Sequence, residues 1–135
     1  MEEMDIWDEI VGIGKLYIQK ELIVGYEPVL FVCTTGDAKP EHYLIMTYDS
    51  CESVYIMQKV DMKDLLDMLE NRITMEQCFR KGKYILKTYI NANGNMCFEK
   101  FLSKDFDEKY LPHKGEYLKL GGDISIIIKN VKLST

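Results

Sequence analysis

Between Asp61 and Gly82 the chain reads DMKDLLDMLENRITMEQCFRKG. Apolar side chains at Met62, Leu65, Leu66 and Leu69 recur at i, i+3, i+4 and i+7, the spacing that lines one face of an α-helix. Asp61 stands where an N-cap belongs, since a short side-chain oxygen there can accept an unpaired N–H of the first turn. A helix over residues 62–71 is expected. Thr74-Met75-Glu76-Gln77 then matches a capping box, with Ile73 placed to staple onto Cys78. Arg80 and Lys81 suit the negative end of this second helix, and Gly82 is expected to stop it.

The sequence on either side of the two helices alternates like strands. Residues 16–24 are rich in apolar and β-branched side chains, and residues 29–33 form an unbroken apolar run suited to a strand covered on both faces. Residues 42–48 and 53–58 read as a hairpin across a turn at 49–52. Residues 83–90 and 95–102 form a second hairpin. A two-residue loop at Asn93-Gly94 would set Lys87 against Lys100, whereas a three-residue loop, Ala92-Asn93-Gly94, sets Lys87 against Glu99. Opposite charges across strands attract and like charges repel, so the three-residue loop is expected, with Gly94 left-handed. That register gathers Leu86, Ile90, Met96, Phe98 and Leu102 on one core face. Residues 5–11 read as a short helix capped by Asp5 and ended by Gly12, residues 104–120 as a polar irregular stretch, and residues 124–128 as a last strand. The whole is expected to be one α+β domain over residues 1–135. It has a mainly antiparallel sheet of about six or seven strands, barrel-like as a variant, with two consecutive helices packed on one face.

The 135 residues carry 17 basic and 22 acidic side chains, a formal charge of −5. Nucleic-acid binding rests on neutralising phosphates, and this balance offers no surplus for it. Only Arg72 and Arg80 are arginines. The acidic start, Met1-Glu2-Glu3-Met4-Asp5, is unlike a secretory leader, and no apolar run approaches the length of a membrane span. A cytoplasmic chain with neither nucleic acid nor membrane as partner is expected. Cys33, Cys51, Cys78 and Cys97 lie eighteen or more residues apart, unlike zinc or redox motifs, so free thiols are expected.

Several stretches resemble an uncharacterised bacterial domain family: Pro28-Val29-Leu30-Phe31, Tyr43-Leu44, Tyr55-Ile56, the leucine-bearing helix at 65–69 running into Arg72-Ile73-Thr74, and Tyr110-Leu111-Pro112-His113-Lys114-Gly115-Glu116-Tyr117-Leu118. The last is similar to that family's closing Y-L-P-x-x-G-x-x-L stretch. The chain departs from the pattern at Asn71-Arg72, where glycine is expected, and at Met75, where leucine is expected. The resemblance implies one bacterial domain and transfers no catalytic residue.

Chemistry-bearing motifs are sparse. Gly12-x-Gly14 lacks the third glycine of a dinucleotide loop. No thiol stands in sequence beside His42 or His113, so a Cys–His nucleophile is not indicated. Asp105, Asp107, Glu108 and His113 form the most metal-like grouping, but without the spacing of a calcium loop they read as a solvated acidic stretch. No cofactor is implied. Eight methionines and nine tyrosines suit either core filling or an adaptable contact surface. The expected function is a non-enzymatic protein-interaction or regulatory module with an unidentified protein partner, its surface drawn from Tyr26, Met68, Tyr110, His113 and Tyr117. Met68, beside the main helical stripe, is taken as exposed. The alternatives are a small-molecule-binding or enzymatic domain with a pocket between sheet and helices, and a homo-oligomeric structural protein.

Overall fold

Both helices expected in the middle of the chain form, the first ending two residues early and the second opening on its capping box. The computed structural model describes residues 5–26 and 28–119. Helix α1 (Met62–Leu69) buries Leu65, Met68 and Leu69, and helix α2 (Met75–Phe79) opens on a complete capping box in which Thr74 accepts from the Gln77 N–H and Gln77 accepts from the Thr74 N–H. Helix α1 ends in a Schellman arrangement: Asn71 is left-handed at φ 61°, and the Arg72 N–H reaches the Asp67 carbonyl at 2.8 Å. Asn tolerates this conformation best after Gly, which suits it to this position.

Seven strands surround the helices in sequence: β1 (Ile6–Ile10), β2 (Gly14–Val24), β3 (Pro28–Thr34), β4 (His42–Asp49) and β5 (Val54–Val60) before them, β6 (Tyr84–Ile90) and β7 (Met96–Leu102) after. Each pairs antiparallel with its neighbour in the chain. One parallel pair, Ile10 beside Met96, joins β1 to β7, so the strand order runs round a closed ring. The architecture is thus mostly sheet with two helices, mainly antiparallel, as expected. Two joints of the ring are thin: the Ile10–Met96 pair, and β5 with β6, which pair only at Ile56–Lys87 and Met57–Leu86.

The second hairpin has the register that charge pairing selects. Lys87 faces Glu99, the Asn91 N–H donates to the Asn95 carbonyl at 2.9 Å, and Gly94 closes the loop at φ 80°. Residues 5–11 are not helical; most of this stretch is β1. A seven-residue helix has little stability of its own, whereas β1 pairs along β2 and buries Ile10 and half of Trp7 against Phe31 and Tyr55. Gly82 does not end α2 either. The helix stops at Phe79 with Arg80 as its C-cap. The strand expected at 124–128 lies outside the described residues.

Alternation along the strands splits the core in two. Phe31, Cys33, Tyr43, Ile45, Met57, Leu86 and Met96 face the inside of the ring, joined by Ile10 and Leu16. Leu30, Val32, Leu44, Ile56 and Ile85 face outward and are covered by Leu65, Met68, Leu69, Cys78 and Phe79 of the helices. The stretch after β7 contributes Phe106, Leu111 and Leu118 to this outer core. It runs through two short 3-10 turns, Ser103–Asp105 and Glu108–Tyr110, and its Glu116 carbonyl accepts the Met75 N–H at 3.0 Å. No helix of the described residues is long and apolar enough to cross a membrane.

Candidate functional site

Where β5 ends and β6 begins, a cleft of about 430 Å³ opens into the inside of the ring, within the range of small-molecule sites. Its floor follows from strand alternation. Tyr84, Leu86, Phe98 and Lys100 share the inward face of the β6–β7 hairpin, and Tyr43 and Lys59 face each other across β4 and β5. The rim comes from the β1–β2 turn at Gly12 and Ile13, from Asp61 and Asp64 at the start of α1, and from Lys81-Gly82-Lys83 leading into β6. Asp61 holds the N-cap position with extended backbone but makes no side-chain cap bond. Asp61 lines the cleft.

The lining is strongly charged and bipolar. Lys59 is paired with Glu41 at 3.0 Å. Among the described residues Lys81, Lys83 and Lys100 make no ion pair, nor do Asp61 and Asp64. The Tyr84 ring gathers two of these cations, with Lys83 Nζ 5.3 Å and Lys100 Nζ 4.7 Å from its centroid. Four lysines therefore converge on a single concavity in a chain whose net charge is −5. Beside them Gln58 is buried, and its Oε1 has no hydrogen-bond partner.

None of the five surface residues drawn from the sequence lines this cleft. Met68 is fully buried: three residues after Leu65, it lies on the same helical face and packs into the outer core, which corrects its assignment to the surface. Tyr26 is fully exposed between β2 and β3. Tyr110 packs edge-on to Tyr48 and accepts a hydrogen bond from Lys87 Nζ at 3.3 Å, which holds its phenol below the usual range. His113 and Tyr117 are exposed on the closing stretch. Asp105, Asp107 and Glu108 are exposed too, and no three His, Cys, Asp or Glu of the described residues are grouped to hold a metal. Cys33 and Cys78 are buried, and burial pushes the Cys78 thiol up to about 12 and raises that of Cys33 as well, leaving neither suited to nucleophilic work.

Sequence reasoning missed the cleft, although two signals for it were present. Lys100 interrupts the core face between Phe98 and Leu102, and Lys81-Gly82-Lys83 sets two cations astride a glycine.

His42, at the start of β4, is buried, with Nδ1 2.8 Å from Gln19 Oε1. Desolvation lowers its pKa from the ordinary value of 6.5. The unfolded chain therefore binds this proton at a higher pH than the folded one, and stability falls as pH drops from about 6.5 toward the folded value. Urea unfolding should show a midpoint that declines from pH 7.5 to 5.5, and His42→Gln should flatten the decline. An unchanged decline in the variant would assign it to other groups.

No family model matches the chain, and no match to it was found among curated proteins or solved structures.

Proposed function

We propose that the chain is a small-molecule-binding domain whose cleft takes an anionic ligand with an apolar body. The observation that carries this reading is the set of three cations without ion-pair partners, Lys81, Lys83 and Lys100, at the mouth of a cavity floored by Leu86 and Phe98. Exposed ammonium groups gathered around an apolar floor favour a ligand that brings compensating negative charge. A purely apolar occupant would leave those charges less hydrated with nothing in return. The reading draws on the second of the functions expected from the sequence, with the cleft at the ring's end where a pocket between sheet and helices was anticipated.

Isothermal titration with phenyl phosphate tests it, with benzylamine as a cationic counterpart of similar size. Phenyl phosphate is expected to bind and benzylamine not to. Affinity should fall as salt is raised from 50 to 300 mM, because the lysines are exposed enough to be screened. Lys83→Ala/Lys100→Ala should weaken phenyl phosphate about tenfold or more, given roughly 1 kcal/mol for each partly exposed charged contact. Equal affinity in the double variant, or preference for the amine, overturns the reading.

A further inference from the structure

We propose that Tyr43 is a specificity residue of this cleft, its hydroxyl donating a hydrogen bond to an uncharged oxygen on the body of the bound anion. The inference rests on the binding function above and names the ligand class more closely: a small anion that carries a carbonyl group.

Cross-strand register places Tyr43 on the border between the inner core and the cleft. On the inward face, Cys33, Tyr43 and Lys59 form one row across β3, β4 and β5. Two residues further into the ring, the neighbouring row is Phe31, Ile45, Met57 and Leu86, all apolar. Tyr43 is thus the last inward-facing residue of β4 at this end. It packs with the inner core, is only 6% exposed, and still lines the cleft.

The ring is accounted for by packing, and a phenylalanine would fill the same space. The hydroxyl is not. Among the described residues, the side-chain atoms that are both shut off from solvent and unpaired are Gln19 Nε2, Thr34 Oγ1 and Gln58 Oε1. The Tyr43 hydroxyl is not one of them, although no described residue hydrogen-bonds to it. It is therefore open to solvent, and the opening beside Tyr43 is the cleft. A buried tyrosine ordinarily finds a partner for its O–H. Here the partner has to enter through the cleft.

The charge around the cleft is divided between its walls, which decides the kind of partner. Lys83 and Lys100 make no ion pair among the described residues and gather on Tyr84 at the β6–β7 wall. On the β4–β5 wall Lys59 is neutralised by Glu41. The anionic group of the ligand belongs to the first wall. At the second, burial and the Glu41 carboxylate both raise the Tyr43 pKa above the ordinary 10.0, so the phenol keeps its proton and offers a neutral donor. An uncharged oxygen suits it better than a second anion, which Glu41 would repel.

Isothermal titration of the intact chain at pH 8, where aryl phosphates are dianionic, provides the test. The 2-, 3- and 4-acetylphenyl phosphates carry a carbonyl at three positions. Their isopropenyl counterparts replace C=O by C=CH₂, which keeps the shape and removes the acceptor. At least one acetyl isomer should bind about fivefold tighter than its isopropenyl counterpart, the size of one neutral hydrogen bond. Tyr43→Phe should bring the two members of that pair to within about twofold of each other. The ratio is the readout, so a change that the variant makes to both affinities alike cancels. Because the hydroxyl has no partner in the chain, Tyr43→Phe should also keep its Tm within about 3 °C of the unaltered chain, less than a lost internal hydrogen bond would shift it. A larger loss, or failure to fold, would make the hydroxyl a structural group and overturn the inference. If phenyl phosphate binds but no acetyl isomer exceeds its counterpart, or if the ratio survives Tyr43→Phe, the inference is overturned and the anion site stands. If neither phenyl phosphate nor its derivatives bind, the binding function falls with it.

Discussion

Phe79→Ala is expected to lower the stability of the chain by about 3–5 kcal/mol, as full-size aromatic truncations in closed cores do. Phe79 is the last residue of α2, fully buried in the outer core with Leu65, Leu69, Ile85 and Phe106. A helix of five residues has no independent stability in water. What holds α2 is its capping box at one end and the burial of Met75, Cys78 and Phe79 along its length. Removing the ring leaves a void between helix and sheet that neighbouring strands, hydrogen-bonded on both sides, close poorly. For a chain of this length the loss corresponds to a Tm lower by about 10 °C or more. Tyr26→Ala, at a fully exposed aromatic, is the control and should change stability by less than about 0.5 kcal/mol. A loss under about 1 kcal/mol for Phe79→Ala would mean that α2 is not seated as described. Thermal and urea unfolding measured together check both variants.

The same part of the molecule shows where the sequence was legible. Local signals with a direct physical meaning translated faithfully: the Thr74–Gln77 capping box, the apolar stripe of α1, and the Lys87–Glu99 pairing that chose between two loop lengths. Each is decided by residues within a few positions or across one turn. The failures share the opposite property. Residues 5–11 carry a weak helical pattern, and only the presence of β2 makes them a strand. Met68 sits beside the strongest stripe on α1, and its burial depends on the outer sheet face and the closing stretch covering a wider arc of the helix than the stripe marks. Residues 104–120 look polar because their few apolar side chains are spaced irregularly, yet Phe106, Leu111 and Leu118 are all buried.

The cleft was the least legible feature for the same reason. Its lining comes from four strands, one turn, one helix start and one loop, and no two neighbouring contributors form a motif. Gly82 illustrates the point. Read locally, a glycine after Arg80-Lys81 is a helix stop. In the structure its missing side chain makes room for Gln58, twenty-four positions earlier in the chain. A sequence carries such a constraint only as a pair of distant residues that fit together, and a single sequence does not display pairs.

Arg80→Met is expected to cost about 2–4 kcal/mol, although it keeps most of the side chain's apolar stem. Arg80 Nε lies 3.3 Å from Glu76 Oε2 one turn earlier, Nη2 donates to the Phe106 carbonyl at 3.0 Å, and Nη1 donates to the Ser103 carbonyl. The carboxylate is almost wholly buried, at 10% exposure, and the guanidinium is 22% exposed. Removing one partner of such a pair leaves the other charge desolvated and alone, which costs more than the pair itself contributes. The figure is set below that of a fully buried pair because water reaches the guanidinium. Two carbonyls lose their donor as well. The planar fork reaches three acceptors at once, which a lysine ammonium on a flexible stem does poorly, so Arg80→Lys should recover only a minor part of the loss. Adding Glu76→Gln to Arg80→Met should recover more, since it removes the stranded charge. That ordering separates this account from simple loss of packing, in which Glu76→Gln would bring no recovery. Amide hydrogen exchange gives the local consequence: protection at Phe106 and Leu111 should fall further than protection in β3 and β4, because the closing stretch is tied to α2 through this side chain and through the Glu116–Met75 backbone bond. Uniform loss across all elements would instead make Arg80 a contributor to the whole fold and not a tether for its last covering segment.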